Sequence, residues 1–218
     1  MALPFFQLFV VTVLILLLMP LLLRFPVLEP AFILLYLHAV AVSLTVAGYR
    51  RLRWPLLAGW AVMLVLKLAP AADPAMATAF YVASRILVVG LLSACVVAIL
   101  NYVLRDTVAS VDRIFAAIVA YLLAGLGFAA IYGVVVALEP ESFTLPPAAD
   151  VHDRDHLEVH LIYFSFVTIA TVGYGDITPR LPLAQMLAVL EAVSGQFYVA
   201  VVIAWLVSAY AAQRRAGS

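Results

Sequence analysis

The 218-residue chain has little charge and almost no cysteine. Only 11% of its residues are Asp, Glu, Lys or Arg, whereas 67% are hydrophobic, and the mean hydropathy is +1.16. This balance excludes an ordinary soluble domain and predicts an integral membrane protein. The formal net charge is zero, so nothing indicates a nucleic-acid partner. The single cysteine, Cys95, excludes an intrachain disulfide.

Long polar stretches are also scarce, and six apolar segments are long enough, or nearly so, to cross a hydrocarbon core of ~30 Å. They cover Pro4–Leu23, Pro30–Tyr49, Trp54–Pro70, Met76–Leu104, Arg113–Leu138 and Leu183–Ala211. The apolar segment His160–Ala170 is too short to span, so we expect it to form a re-entrant helix. The sequence therefore predicts an all-α membrane protein with six transmembrane helices and one re-entrant helix. We divide it into a four-helix domain, residues 1–108, and a second domain, residues 109–218.

Positive charge is concentrated on one side of this predicted topology. Seven arginines share a side with both chain ends: Arg50, Arg51, Arg53, Arg105, Arg113, Arg214 and Arg215. The opposite side has four basic residues: Arg24, Lys67, Arg154 and Arg180. Cytoplasmic loops carry an excess of Lys and Arg, so both termini are expected in the cytoplasm.

A glycine-containing motif follows the re-entrant segment: Thr171, Val172, Gly173, Tyr174, Gly175 and then Asp176. A potassium ion crossing a membrane loses its water, and carbonyl oxygens replace that water if an extended chain turns them to one axis. Gly173 and Gly175 permit the left-handed conformations that this requires, because they have no Cβ. Val172 and Tyr174 are expected to point into the surrounding protein. The Thr171 hydroxyl would add an oxygen at the inner end.

The motif matches the selectivity filter of potassium channels, and Asp176 would mark its exit. From Arg113 onward the chain resembles the pore module of tetrameric potassium channels: outer helix, pore helix, filter and inner helix. The runs that carry a closer resemblance, to bacterial potassium-channel-like membrane proteins, are Asp112–Phe115, Tyr121–Leu123, Tyr163–Phe166 and Leu190–Ala192.

The resemblance implies a non-enzymatic, potassium-selective channel made of four identical subunits in contact with lipid. It also implies a bacterial inner membrane as the location, and K⁺ as the permeant ion with no cofactor. A poorly selective cation channel and a non-conducting structural membrane subunit are the alternative interpretations. Residues 109–218 would be the pore domain, with Thr168 on the pore helix.

The fourth segment has little of the charge that a voltage sensor needs. Arg85 is followed, at steps of three, only by uncharged residues: Val88, Leu91, Ala94 and Val97. Each charge that moves through the field contributes ~2.3 kcal/mol per 100 mV, so several are needed for a steep response. The first domain therefore resembles a voltage sensor in shape but lacks its charges. We expect little voltage sensing, with Arg85 snorkelling to the outer interface.

Two residues in the sixth segment are candidates for a gate or a cavity. Gly195 resembles the hinge glycine of potassium-channel inner helices, but it is equally consistent with close packing against a neighbouring helix. Glu191 lies one turn earlier, and an ionisable residue inside a membrane helix is a functional candidate. It would either attract cations to the cavity or accept a hydrogen bond from the pore helix, for example from Thr168.

The loop before the pore helix has an unusual concentration of acids and histidines. His152, His156 and His160 are spaced four apart, which places them on one face if the segment is helical. Such a face binds zinc or senses protons. A polar loop without either role is the alternative.

Overall fold

The computed structural model describes residues 3–24, 29–68, 72–105, 110–146 and 154–216, most of which are helical. The helices are α1 (Pro4–Arg24), α2 (Glu29–Val46), α3 (Arg53–Leu68), α4 (Pro74–Leu104), α5 (Val111–Leu138), α6 (Arg154–Ile169) and α7 (Pro182–Ala216). A short 3₁₀ turn, Pro140–Ser142, leads into strand β1 (Phe143–Thr144). Strand β2 (Thr178–Pro179) pairs with β1 in an antiparallel ladder.

Proline and a capping side chain mark where helices begin. Pro4, Pro74 and Pro182 each occupy the first helical position, where a missing amide hydrogen costs nothing. Asp73 lies just before α4, and its Oδ1 accepts a hydrogen bond of 2.7 Å from the amide of Met76. Local sequence therefore sets the start of α4.

Three helices among the described residues are long and apolar enough to cross a membrane. They are α4, α5 and the Pro182–Leu206 part of α7. Pro4–Met19 of α1 is a shorter apolar helix. The 16 residues of α3 fall short of the ~20 that a straight crossing needs. The chain is thus a mainly helical membrane protein, while the count of six spans stays a prediction.

The helix before the filter motif begins earlier than the sequence indicated. We predicted His160–Ala170, but α6 begins at Arg154 and ends at Ile169. Its first turns carry the polar residues Arg154, His156 and Glu158. These residues do not belong to the apolar run that we used to place the helix, although their backbone is helical. The predicted start of this helix was therefore wrong.

Contacts group the chain into two compact units. One is drawn from Met1–Pro55, Ala94–Leu123 and Phe197–Ser218, the other from Leu56–Ser93 and Ala124–Gln196. In the first unit the ring of Phe5 stacks on Tyr102, with centroids 5.0 Å apart. The amide of Phe5 donates to Asp112 Oδ1 at 3.0 Å. The division into sequence domains at residues 108 and 109 stays a prediction.

The core of the second unit surrounds α6. Tyr132, Phe143 and Phe164 pack edge to face, with ring centroids 5.1 to 5.4 Å apart. The same core includes Leu157 and Leu161 on α6. These contacts fasten α6 and β1 to α5. Because β2 pairs with β1, they also fix the chain that follows the filter motif.

Candidate ion-conduction site

The segment Thr171–Asp176 leaves the end of α6 and precedes β2. The amide of Thr171 donates to the carbonyl of Thr168, and the amide of Val172 donates to that of Val167, each at 2.9 Å. The last carbonyls of a helix otherwise have no partner within it. The candidate filter is therefore anchored to the end of α6 through backbone bonds, and Thr168 takes part through its carbonyl.

The backbone of this segment alternates in handedness. Thr171, Gly173 and Gly175 have φ values of +57°, +61° and +80°, whereas Val172 and Tyr174 do not have positive φ. Thr171 is the only non-glycine residue with positive φ in the part of the chain that the structure describes. This is the alternation that the sequence predicted at the two glycines, extended by one residue. It suits a chain whose successive carbonyls turn toward one side.

The side chains of the segment find little cover within one subunit. Val172 is 51% exposed and Tyr174 is 71% exposed. We expected both to point into surrounding protein, and within the described part of one chain they stay mostly exposed.

At the C-terminal end of the motif, Asp176 accepts a hydrogen bond from a tyrosine on α6. Tyr163 Oη lies 2.8 Å from Asp176 Oδ2. This bond lowers the pKa of Asp176 and raises that of Tyr163, so it favours the ionised carboxylate. Sequence reasoning missed this partner of Asp176. The partner is an aromatic hydroxyl, which the aromatic start of the pore-helix run could have indicated.

At the N-terminal end of the motif, a glutamine on α7 contacts Thr171. Gln196 Nε2 donates to Thr171 Oγ1 at 3.2 Å, and both residues are exposed within the single chain. Sequence reasoning missed Gln196, because a lone amide in an apolar helix carries no recognisable spacing. The Gln196 amide donates to Thr171 Oγ1, the oxygen that we expected to contribute to ion binding.

Gly195 is where α7 approaches the end of α6. A Cβ added there would lie 2.3 Å from the carbonyl oxygen of Ile169 and 2.8 Å from Ile169 Cγ1. Real Cβ atoms do not approach backbone oxygen so closely, so no larger residue fits without movement. This geometry supports the close-packing interpretation. The helix α7 also runs from Pro182 to Ala216 without interruption at Gly195.

Glu191 is fully buried, and its exposed fraction is 0%. Its Oε2 lies 2.6 Å from Tyr132 Oη, and its Oε1 lies 2.5 Å from Ser165 Oγ. The contact with the pore helix thus exists, but it is made by Ser165 rather than by Thr168, one turn further along. The burial favours the hydrogen-bonding role over a role as a cavity charge.

Arg85 is paired with an acid on α6. It is 13% exposed and forms an ion pair with Glu158 on α6. Its guanidinium also lies over the ring of Tyr81, 5.1 Å from the centroid. The sequence did not indicate this pair, because it depends on the early start of α6, which presents Glu158. The interfacial position of Arg85 stays a prediction. The pair connects α4 directly to α6.

Two of the three candidate histidines lie within the described residues. His152 lies outside the described residues, while His156 is exposed and His160 is half-buried on α6. Among the described residues, no three His, Cys, Asp or Glu side chains come together as a metal site would require. Nothing in this part of the chain therefore favours zinc, and proton sensing stays a prediction.

Comparison with known proteins identifies the class to which this arrangement of α6, the candidate filter and α7 belongs. The family model described as "Ion channel" matches residues 155–212. The chain is 34% identical to Protein LctB of Bacillus caldotenax and 32% identical to Protein LctB of Geobacillus stearothermophilus, each over 94 residues. Each alignment covers 43% of this chain and 69% of the relative. No solved structure matches significantly.

The chain therefore belongs to the potassium channel pore family of ion channels. The matched residues include most of α6, the candidate filter and most of α7. Proteins of this family are generally channels rather than enzymes.

Proposed function

We propose that this protein is a potassium-selective channel that conducts K⁺ passively through a pore formed by four identical subunits. The observation that carries the proposal is the backbone of Thr171–Gly175, in which every second residue has positive φ. Four such segments around one axis provide the carbonyl rings that replace the hydration shell of K⁺. K⁺ is the permeant ion in this proposal, and no cofactor or nucleic acid has a part in it.

Exposure of the filter side chains supports the assembly. Within one subunit Val172 and Tyr174 are 51% and 71% exposed. Packing against neighbouring copies would bury them and support the filter from behind. One chain carries one filter segment, so a closed ring needs several copies with rotational symmetry.

For the membrane topology we propose six spans with both termini in the cytoplasm of a bacterial inner membrane. α4, α5 and α7 are long enough to cross, and α1 is apolar over Pro4–Met19. The seven arginines on the side of the chain ends support the orientation. The filter then lies toward the outside, and the apolar helix surfaces contact lipid.

Voltage has little influence on the proposed channel. Arg85 is the only charged residue in α4, and it is paired with Glu158. A paired arginine on a helix with no further basic residues offers almost no charge to move through the field.

Purified protein in liposomes tests the proposal. Potassium-loaded vesicles should release K⁺ on a K⁺ gradient, while sodium-loaded vesicles should retain Na⁺ under the matched Na⁺ gradient. Equal release of the two ions would indicate a poorly selective cation channel. Release of neither, from vesicles that contain folded protein, would indicate a non-conducting membrane subunit.

A further inference from the structure

Three helices of the second unit meet at one buried carboxyl group. Glu191 on α7 contacts Tyr132 Oη of α5 at 2.6 Å and Ser165 Oγ of α6 at 2.5 Å. Ser165 Oγ also lies 2.7 Å from the carbonyl oxygen of Gly125 on α5. Tyr132, Ser165 and Glu191 all have an exposed fraction of 0%. All three contacts are between oxygen atoms, so each needs a hydrogen.

Counting those hydrogens fixes the arrangement. The hydroxyls of Tyr132 and Ser165 supply one hydrogen each, and the Gly125 carbonyl supplies none. Three contacts therefore need one more hydrogen, and the carboxyl group of Glu191 is its only possible source. If the Tyr132 hydrogen goes to Oε2 and the Ser165 hydrogen goes to Gly125, the third hydrogen must lie on Oε1. An ionised Glu191 would leave one of these oxygen pairs facing each other without a hydrogen.

We infer that Glu191 is a neutral carboxylic acid that donates a hydrogen bond to Ser165 Oγ, and that the Ser165 hydroxyl in turn donates to the Gly125 carbonyl. An ionised carboxylate could only accept a hydrogen bond from Ser165, so the donor and acceptor are the reverse of that arrangement. Among the described residues, the side chains that hydrogen-bond to Glu191 are both uncharged. An ionised carboxylate buried without a cation is strongly disfavoured. The neutral acid satisfies every group with no buried charge.

These hydrogen bonds connect three helices of the second unit and so hold α6 in place. They tie α7 to α6 and α6 to α5, and a Cβ on Gly125 would lie 3.1 Å from ring carbons of Phe166 on α6. The end of α6 is also in contact with Gly195 of α7. Glu191 is thus a positioning residue for α6, and its effect on the filter rests on the proposed function.

Infrared spectroscopy of the protein in lipid at neutral pH tests the protonation directly. Wild-type protein should show the C=O stretching band of a protonated carboxylic acid, and Glu191→Gln should lack it. The same band in wild-type protein should shift when glutamate, but not aspartate, carries a ¹³C-labelled carboxyl, which needs no variant. The inference would be overturned if Glu191→Gln lost carboxylate bands and kept the acid band of wild type. An acid band that does not respond to labelled glutamate would also overturn it.

Variants of the pore helix locate the acceptor. Ser165→Ala should shift the frequency of the acid band, because Oε1–H loses its acceptor. Thr168→Ala, one turn further along the same helix, is the matched control and should leave the band unchanged. Equal effects of the two variants would contradict the assignment to Ser165.

The positioning role has a separate readout. Glutamine provides a donor for Ser165 and an acceptor for Tyr132, so Glu191→Gln should keep the wild-type preference for K⁺ over Na⁺. Glu191→Leu provides neither and should reduce this preference at least tenfold. A Gln variant as impaired as the Leu variant would contradict the positioning role. The infrared result does not depend on ion flux, so a wild-type protein that conducts no K⁺ would refute the proposed function alone.

Discussion

Replacing Gly195 by alanine separates the two interpretations of the middle of α7. The added Cβ would lie 2.3 Å from the carbonyl oxygen of Ile169, which is backbone at the end of α6. Relief of this clash requires α6 or α7 to move. Overpacking of this kind costs about 1–3 kcal/mol, whereas alanine in a helix gains only ~1 kcal/mol over glycine. We therefore expect Gly195→Ala to lower the free energy of unfolding by up to about 2 kcal/mol, taking the difference of these two terms.

Gly127→Ala is the matched control for this experiment. Gly127 lies on α5, and a Cβ there meets nothing within 4 Å. This variant should be as stable as wild type or gain up to ~1 kcal/mol from helix propensity. Thermal unfolding of the three proteins in the same lipid, followed by far-UV circular dichroism, measures the difference. If Gly195→Ala is as stable as Gly127→Ala, the close-packing explanation is refuted and a hinge with free space around it is favoured.

Three further predictions concern conduction. Gly173→Ala should abolish K⁺ flux into liposomes, because a φ of +61° is strained once a Cβ is present, and wild-type flux would refute this. Tyr163→Phe removes the bond that lowers the pKa of Asp176. The carboxylate charge should then be lost at a higher pH as the outside is acidified, so the current should fall earlier than in wild type, and an unchanged pH profile would count against the bond. Current–voltage curves should give a gating charge of no more than about four elementary charges per tetramer, one Arg85 from each subunit, and a steeper Boltzmann slope would contradict it.

The alternating backbone of Thr171–Gly175 and the helical class could be predicted from sequence because both depend on short-range rules. Gly173 and Gly175 permit positive φ wherever they occur, and their spacing by two indicates an alternating backbone. Apolar runs indicate helices without knowledge of their neighbours. The early start of α6 could not be obtained in this way, since its first turns carry the polar residues Arg154 and Glu158. Arg154 donates a hydrogen bond to Thr78 Oγ1 at 2.9 Å and Glu158 pairs with Arg85, and both partners lie on α4.

The contacts that α6 makes with α4 and α7 depended on three-dimensional register. Ser165 and Thr168 both carry hydroxyls and lie one turn apart, so only the rotation of α6 against α7 decides which one meets Glu191. Arg85 pairs with Glu158 although 73 positions separate them, and no local pattern indicates that partner. Gly195 was consistent with two roles until the distance to Ile169 favoured one.

The reversal potential of single channels in a planar bilayer tests the central claim most directly. Potassium is set tenfold higher on one side, and sodium balances total cation concentration on the other. A pore that accepts K⁺ and rejects Na⁺ reverses near the potassium equilibrium potential, about 59 mV from zero for a tenfold ratio of a monovalent ion. We predict a value close to that limit for wild type. A reversal at zero, which means equal permeability to K⁺ and Na⁺, would contradict the assignment of Thr171–Gly175 as a potassium filter.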